Sequence, residues 1–338
     1  MEPRTGAYTH ERFGYPVNEI RTVERDAVIP VEHAGERLDR SLAQLFPEFS
    51  RSQLQKWLKQ GWITVDGAVP APRAAVLGGE AVLLRAELVA EGPVQAQPIA
   101  LDIRHEDDAL IIVNKPADLV VHPGAGNADG TLQNALLHHD PALAAVPRSG
   151  IVHRLDRETS GLMVVARTLQ AHKHLVDQLQ ARTMGREYLA LVTGTFTAGG
   201  HVDAPIGRHP RDRVRMAVRE GGRAAVTHYR IEERFPAHTL LRCRLETGRT
   251  HQIRVHMAHI RHPLVGDPVY GGRLRLPKGT TEEVAAALRG FRRQALHAET
   301  LSLTHPVSGE STTWSAPVPA DLEALAEVLR RHRDAAAQ

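Results

Sequence analysis

Residues 150–167 read GIVHRLDRETSGLMVVAR: an apolar run, a charged loop and a second apolar run. Two apolar segments of strand length around a polar turn that ends at Gly161 predict a strand–loop–strand unit. Asp156 would lie at the lip of this unit, with Arg154 and Arg157 on either side. Neighbouring guanidinium groups hold a carboxylate in its ionised form, which suits a nucleophile better than a general acid. A structural Asp–Arg pair in a turn fits the same residues, so both interpretations stay open at this point.

The segments around this stretch predict the fold class. Short apolar or alternating runs recur along the chain, and a helical pattern covers residues 169–182. The runs with strand character are 109–116 (ALIIVNKP), 161–167 (GLMVVAR), 187–194 (EYLALVTG), 227–235 (THYRIEERF) and 238–246 (HTLLRCRLE). Because these strands do not alternate regularly with helices, they favour an α+β fold with a mixed, mainly antiparallel sheet.

A separate small module is predicted near the N-terminus. Residues 37–67 read RLDRSLAQLFPEFSRSQLQKWLKQGWITVDG, in which two groups of apolar residues at helical spacing are divided by Pro47. Gly61 is typical of the residue after a helix, and the Asp-Gly pair at 66–67 is typical of a hairpin turn. The pattern predicts a helix pair followed by short strands within residues 34–85.

The second helix of this module carries basic residues along one side. Arg51 and Lys59 fall on one face, with Lys56 beside them. A positive stripe opposite an apolar stripe predicts contacts with an RNA backbone. A solvated helix face is the competing interpretation.

The remaining boundaries follow from weak patterning. Residues 1–33 lack strong periodicity and are predicted as a flexible arm, and residues 86–98, which contain two prolines, as a linker. A catalytic domain is predicted for residues 99–325 and a C-terminal tail for residues 326–338.

The formal net charge of +3 hides an uneven distribution of charge. Residues 201–275 hold fifteen Arg, no Lys and seven Asp or Glu, a surplus of eight positive charges. Because guanidinium groups match phosphate geometry and stack on bases, this block predicts a polyanionic partner such as nucleic acid. A genome rich in Arg codons would produce the same excess, so the charge distribution alone does not show that the partner is a polyanion.

The sequence lacks the signals of membrane proteins and of disulfide-bonded proteins. No apolar stretch is long enough to span a bilayer, and residues 1–16 have no apolar core like that of a secretory signal. A cytoplasmic protein without a membrane partner is therefore predicted. The lone Cys243 permits no intrachain disulfide, and its alternating surroundings predict a small buried side chain.

Three catalytic signatures are also missing or incomplete. The glycines of residues 122–130 (HPGAGNADG) depart from the spacing of a dinucleotide-binding loop. The histidines within residues 251–262 include no H-E-x-x-H and no carboxylate that would complete a hydrolytic metal site. No G-x-S-x-G elbow is present, which argues against a serine hydrolase of that type.

Residues 248–257, GRTHQIRVHM, form a second candidate segment. Gly248 marks a turn, and a helix is predicted to begin near Thr250. Arg254 would lie near the start of this helix, where an aspartate or a phosphate can meet both its forked guanidinium and backbone donors. An exposed helical arginine is the alternative.

Taken together, these segments resemble a known family. Four of them are similar to the signature motifs of the RluA-type pseudouridine synthases: HRLDRETSG (153–161), REYLALVTG (186–194), GRTHQIRVHM (248–257) and HPLVGDPVYG (262–271). The resemblance extends over roughly residues 35–320, and residues 37–67 resemble the S4-like RNA-binding domain. It implies a catalytic domain of the pseudouridine synthase type, preceded by a small S4-like α+β domain.

The resemblance also implies roles for individual residues. Asp156 matches the essential aspartate, which attacks the nucleoside at the base or at the sugar, and Arg254 matches the basic residue that pairs with it. Tyr188 matches the tyrosine that packs on the target base, and Ile253 matches an apolar residue of the pocket. Arg154 matches an arginine that fills the gap left by the extruded base. His153 and Arg157 are further expected to bind substrate.

The implied reaction isomerises uridine to pseudouridine in 23S ribosomal RNA, with uridines of the helix 69 stem-loop as the implied targets. A base within a helix has to be flipped into a pocket before it can rotate. Nothing is oxidised and no group donor takes part, so neither a cofactor nor a metal is expected. The expected partner is 23S rRNA or the large ribosomal subunit, and the protein is expected to be a monomer.

Two other classes of function remain as alternatives. An RNA-binding ribosome-assembly factor without catalysis would be favoured by loss of the aspartate or the tyrosine, but both are present. A metal hydrolase would require bound metal.

Overall fold

The structure is a computed structural model that describes residues 20–49, 51–89, 94–124, 126–212, 215–277 and 279–336. The chain divides into two compact units, Met1–Pro93 and Val94–Gln338. Each unit contains hydrophobic clusters of its own.

The first unit pairs two helices with a three-stranded antiparallel sheet in the order β1-β3-β2. Its elements are β1 (Ile20–Val28), α1 (Leu38–Leu45), α2 (Arg51–Lys59), β2 (Ile63–Val65) and β3 (Ala81–Val89). Apolar side chains of both helices and of the sheet form one cluster, which includes Leu42, Leu54 and Trp57. The predicted helices are confirmed, and Gly61 follows α2 with a positive φ of 75°, a conformation that favours glycine.

The predicted arm and linker are wrong where they overlap this sheet. Residues 20–28 form β1, and β3 extends to Val89, into the segment 86–98 that was predicted as a linker. β1 pairs with β3 along its whole length, while its described side chains are mostly exposed. Val23 and Ala27 pack against the apolar cluster, but the sequence of β1 lacks the regular alternation of a half-buried strand, and backbone pairing contributes much of its support. Residues 1–19 of the predicted arm lie outside the described residues.

The second unit contains a nine-stranded sheet, a separate pair of two strands, and helices. Its strands are β4 (Ile103–Glu106), β5 (Leu110–Lys115), β6 (Ser160–Ala166), β7 (Gly185–Thr193), β8 (Gly200–Asp203), β9 (Ile206–Arg208), β10 (Met216–Val218), β11 (Val226–Arg234), β12 (His238–Leu245), β13 (Leu296–Thr304) and β14 (Ser311–Ser315). Its helices are α3 (Leu132–His139), α4 (Leu169–Ala181), α5 (Gln252–His259), α6 (Glu282–Gly290) and α7 (Ala320–Ala336).

The strand order confirms the predicted type of sheet. The order is β4-β5-β6-β13-β7-β12-β11-β8, with β14 paired to β13, while β9 and β10 form a separate pair. β6 pairs with β13 in parallel, and the other described strand pairings are antiparallel. The sheet is thus mixed and mainly antiparallel. β13 lies between β6 and β7, although β6 and β7 are consecutive strands in the sequence.

The predicted C-terminal tail, residues 326–338, is wrong over most of its length. Residues up to Ala336 continue α7. Leu322, Leu325 and Leu329 of this helix are buried in a cluster with side chains of β7 and α6. The apolar residues recur at helical spacing, but the charged run that follows them masks the pattern.

Three segments assemble the candidate site: the loop before β6, the start of α5 and the turn that follows α5. The apolar run before Asp156 is not the predicted strand, because Ile151 forms only an isolated bridge with Val165. The helix predicted near Thr250 is confirmed as α5, which begins at Gln252.

Candidate active site

The candidate nucleophile lies in the loop that precedes β6. Asp156 is partly buried, with 17% of its side chain exposed. Its carbonyl oxygen accepts a hydrogen bond from Thr159 N at 3.0 Å, which closes a turn. Lys115 Nζ, at the end of β5, donates to the carbonyl oxygen of Arg157 at 2.9 Å. The carboxylate is thus presented by a short turn that is tied to the sheet.

Arg254, on the first turn of α5, connects this loop to a second carboxylate. Its side chain is 5% exposed, and its Nη1 donates to Asp156 Oδ2 at 3.0 Å. Its Nε and Nη2 donate to the two carboxylate oxygens of Asp267, at 2.7 and 2.9 Å. The expected contact between Arg254 and Asp156 is present, but the forked pair is made with Asp267 and Asp156 receives a single hydrogen bond.

Asp267 is a site residue that the sequence analysis missed. Its side chain is fully buried and also accepts hydrogen bonds from the backbone N–H groups of Val269 and Tyr270, at 2.8 and 2.9 Å. Burial by itself raises the pKa of Asp267, but the Arg254 guanidinium and these backbone donors bring the pKa below its usual value. The signal for Asp267 in the sequence is the Gly-Asp-Pro turn at 266–268, which lies within the family-like segment 262–271.

The two carboxylates around Arg254 keep its side chain in the cationic form. Burial acts to lower the pKa of Arg254, but hydrogen bonds and charge from Asp267 and Asp156 raise it above its usual value. The arginine is held by Asp267 in a fixed plane, and one N–H remains directed at Asp156. Asp267 therefore orients Arg254, and Arg254 orients Asp156.

His251 and Tyr270 border the same carboxylate and were also missed. His251 Nε2 lies 3.8 Å from Asp156 Oδ1, and its Nδ1 lies 2.8 Å from the hydroxyl of Tyr270. The Tyr270 hydroxyl accepts a hydrogen bond from Met216 N at 2.9 Å, so its own proton is available to His251 Nδ1. Burial lowers the pKa of His251, which favours the neutral ring.

Tyr188 and Ile253 lie in one apolar cluster, together with Leu155 of the Asp156 loop. Tyr188 is on β7, between β12 and β13, and is buried. Burial raises the pKa of its hydroxyl, and the negative charge of Asp156 contributes in the same direction. The structure therefore brings both residues to the part of the molecule that holds Asp156.

The other three residues expected to bind substrate are placed differently. Arg154 is exposed, and its charge helps to lower the pKa of His251, so it lies beside the site. Arg157 Nε donates to Asp118 Oδ1 at 2.7 Å, and His153 Nε2 accepts a hydrogen bond from Val164 N at 3.2 Å. Burial lowers the pKa of His153 to about 3. These contacts give Arg157 and His153 partners within the protein, and their expected substrate-binding role stays a prediction.

The metal, membrane and cysteine features that were considered from the sequence have the following counterparts among the described residues. Within the described parts of the chain, no three His, Cys, Asp or Glu side chains are grouped so as to hold a metal ion. The described helices include none with the length and apolar character needed to cross a membrane. Cys243 is buried, as predicted, and burial raises the pKa of its thiol to about 12.

An aspartate oriented by a buried arginine, in a chain with a concentrated arginine block, fits an enzyme that acts on a polyanion. Residues 109–259 match the family model described as RNA pseudouridylate synthase. The chain belongs to the RNA pseudouridylate synthase family, and is therefore an isomerase.

Relatives and solved structures agree with this assignment. The chain is 60% identical over 314 residues to "Ribosomal large subunit pseudouridine synthase D" of Xanthomonas campestris, covering 93% of this chain and 95% of the relative. It is 56% identical over 317 residues to the protein of the same name from Escherichia coli, covering 92% and 97%. The fold is similar to "Human RNA Pseudouridylate Synthase Domain Containing 4", with a TM-score of 0.54 and 25% identity over 68% of this chain and 92% of that one.

Asp267→Asn should slow catalysis by about tenfold, because it weakens the forked pair that orients Arg254. The variant keeps the shape and one acceptor oxygen, so we expect a loss of unfolding free energy of roughly 2 kcal/mol rather than failure to fold. Isomerisation rates and urea unfolding of the same preparations measure the two effects. Asp140→Asn is a matched control, since Asp140 pairs with Arg167 Nε at 3.0 Å away from the site. Equal turnover of Asp267→Asn and Asp140→Asn would contradict the positioning role.

Proposed function

We propose that this protein isomerises uridines to pseudouridine in 23S ribosomal RNA of the large subunit, with Asp156 as the nucleophile. The observation that carries the proposal is the 3.0 Å hydrogen bond from the buried Arg254 to the Asp156 carboxylate. The names of the relatives, ribosomal large subunit pseudouridine synthase D, support the substrate. We further propose that the target uridines lie in the helix 69 stem-loop and that the protein acts in the cytoplasm.

The reaction needs a nucleophile that forms a bond and later leaves. In one route, an Asp156 oxygen attacks C1′ of the ribose and the N1–C1′ bond breaks, so that the uracil leaves with the electron pair. The base rotates, C5 bonds to C1′ and the carboxylate is released, while C5 loses its proton to solvent and N1 gains one. In the other route, an Asp156 oxygen adds to C6 of the base and the N1–C1′ bond breaks with its electron pair left on the base. The base rotates about the new O–C6 bond and C5 bonds to C1′, after which C5 loses its proton, the carboxylate is eliminated from C6 and N1 gains a proton. Both routes balance without an oxidant or a group donor.

The neighbouring residues fit the needs of either route. Arg254 holds the Asp156 carboxylate in one orientation through its single hydrogen bond, which reduces the freedom that the nucleophile would otherwise lose on reaction. Tyr188 offers an aromatic face, and Ile253 an apolar wall, for a flipped uracil. Extruding a base from a helix costs a few kcal/mol, and stacking on an aromatic ring returns about 1–3 kcal/mol.

The first unit would supply contacts with the RNA backbone, in keeping with the S4-like domain that its sequence resembles. Lys56 and Lys59 of α2 are exposed. Arg51 is partly committed to the protein, because its Nη2 donates to the fully buried Asp39 at 2.8 Å. The proposed phosphate contacts therefore rest mainly on the two lysines, and Arg51 has a structural role that its position in the stripe did not predict.

Replacing Lys56 and Lys59 together by Gln should weaken RNA binding and reduce its salt dependence. The slope of log affinity against log salt should fall by about 0.8 for each lysine that contacts a phosphate. Single-turnover chemistry at saturating RNA should stay nearly unchanged, since these residues are not part of the catalytic site. Fluorescence anisotropy over a salt series measures the slope, and Lys173→Gln, at an exposed lysine of α4, is the control. An unchanged slope in the double variant would identify the stripe as a solvated helix face.

The function itself is tested by tritium release from 23S rRNA transcripts that contain uridine labelled at C5. Formation of the C5–C1′ bond expels the label into water, so release reports the isomerisation directly. We expect release by the full chain without added cofactor, and loss of release in Asp156→Ala. Binding of the transcript without any release would instead support a ribosome-assembly factor.

A further inference from the structure

Arg186 on β7 is a buried arginine without a protein partner among the described residues. It is 7% exposed, and its Nε is fully enclosed with no hydrogen-bond acceptor. No described carboxylate lies within ion-pair distance of its guanidinium. Other buried or largely buried arginines of this unit are paired: Arg254 with Asp267 and Arg293 with Asp321.

The guanidinium of Arg186 lies among residues of the candidate site. Its positive charge contributes to lowering the pKa of His153 and counteracts the rise in the pKa of Tyr188, so it is near both side chains. A Cβ atom at Gly248 would lie only 2.8 Å from Arg186 Nη1. Gly248 opens the segment that carries Arg254. Arg186 is thus enclosed between the strand of Tyr188 and the backbone that leads to α5.

A buried guanidinium without a counter-charge is strongly unfavourable. An unpaired guanidinium next to the catalytic groups of a site lacks a negatively charged partner, and a bound anion can be that partner. A neutral uracil would accept hydrogen bonds from the fork but would not balance the charge. A phosphodiester does both, because its two free oxygens match the planar donors of arginine.

We propose that Arg186 binds the phosphodiester next to the uridine that enters the site. This inference rests on the proposed function. A clamp on this phosphate holds the sugar of the extruded nucleotide while the base contacts Tyr188, and so fixes the nucleoside relative to Asp156. The Arg186 contact is made with the RNA backbone at the candidate site itself, whereas Lys56 and Lys59 of α2 are proposed to contact phosphates elsewhere on the RNA.

The test combines a protein substitution with a chemical one. Synthetic stem-loop RNAs are prepared in which the phosphodiester on one side or the other of the target uridine is replaced by an uncharged methylphosphonate. One of these replacements should lower kcat/KM of the wild-type protein by about 10- to 100-fold. Arg186→Gln should lose a similar factor on the natural RNA and lose little more on the methylphosphonate RNA, because the two changes remove the same contact.

Matched variants separate binding of phosphate from a structural role. Arg244→Gln, at an exposed arginine on the adjacent strand, should keep the full methylphosphonate penalty. Gly248→Ala keeps the charge but displaces the guanidinium, and should lose part of the rate. The inference is overturned if each methylphosphonate lowers kcat/KM by the same factor in Arg186→Gln as in the wild type. It is also overturned if neither methylphosphonate lowers kcat/KM of the wild type.

Binding measurements distinguish this failure from failure of the proposed function. The salt slope of RNA binding should be smaller by about one phosphate contact in Arg186→Gln than in the wild type. Equal slopes count against the Arg186 contact whether or not uridine is isomerised. A reduced slope in the variant, with no isomerisation by the wild type, supports the contact and rejects the proposed reaction.

Discussion

Asp156→Ala should abolish pseudouridine formation, with a fall in single-turnover rate of at least about 10⁴-fold, because no other described carboxylate is in place to form the covalent bond. The protein should remain folded. Asp156 is partly exposed and outside the core, and Arg254 keeps its forked pair with Asp267 when Asp156 is removed. The substitution itself leaves no buried charge newly unpaired, so the unfolding free energy should change by no more than about 1 kcal/mol.

Tritium release at saturating RNA measures the rate, and anisotropy with the same RNA shows whether affinity is retained. Asp156→Asn keeps the shape of the side chain and should be equally inactive, since an amide is a poor nucleophile. Asp118→Ala is the control, because Asp118 is exposed and pairs with Arg157 instead of contacting Asp156 or Arg254. Turnover near that of the wild type in Asp156→Ala would refute the assignment of the nucleophile.

Arg254→Ala should slow isomerisation by at least about a hundredfold, and it should also destabilise the protein. It leaves the fully buried Asp267 carboxylate with backbone donors but no counter-charge, and breaking a buried pair from one side costs about 3–5 kcal/mol. Arg254→Lys should give an intermediate rate, because a single ammonium group cannot make the forked pair with Asp267 and also reach Asp156. Rates from tritium release and stabilities from urea unfolding test both effects.

A double variant separates catalysis from stability. Adding Asp267→Asn to Arg254→Ala removes the unpaired buried charge, so the unfolding free energy should partly recover. The isomerisation rate should not recover, because Asp156 still lacks its partner. Recovery of both quantities would show that Arg254 acts only by keeping the protein folded.

The sequence predicted those parts of the fold in which local pattern and packing agree. The apolar runs of β5 and β6 and the helical spacing of α4 lead to the observed elements, since each buries the residues that its own pattern selects. β1 was missed because it is held by backbone pairing with a strand distant in sequence. The end of α7 was missed because charged residues dominate its last turns.

The candidate site was predictable where its residues are marked by the local sequence. Asp156 and Arg254 each lie in a segment whose residues are distinctive by themselves. Asp267 was not recognised, because its importance comes from the tertiary contact that directs its carboxylate at Arg254. In the first unit, the stripe position of Arg51 gave no sign that the buried Asp39 would engage its guanidinium.

The position of β13 between β6 and β7 has a consequence for the order in which a newly synthesised chain becomes active. The ribosome delivers β6 with its nucleophile loop, then β7 with Tyr188, and only much later the strand that joins them. Residues just before β13 also fasten the loop, since Gln294 Nε2 donates to Thr159 Oγ1 at 3.0 Å. A nascent chain that ends before β13 therefore carries every proposed catalytic side chain but lacks the strand that brings them together. We therefore expect a nascent chain to gain activity only after β13 has been synthesised.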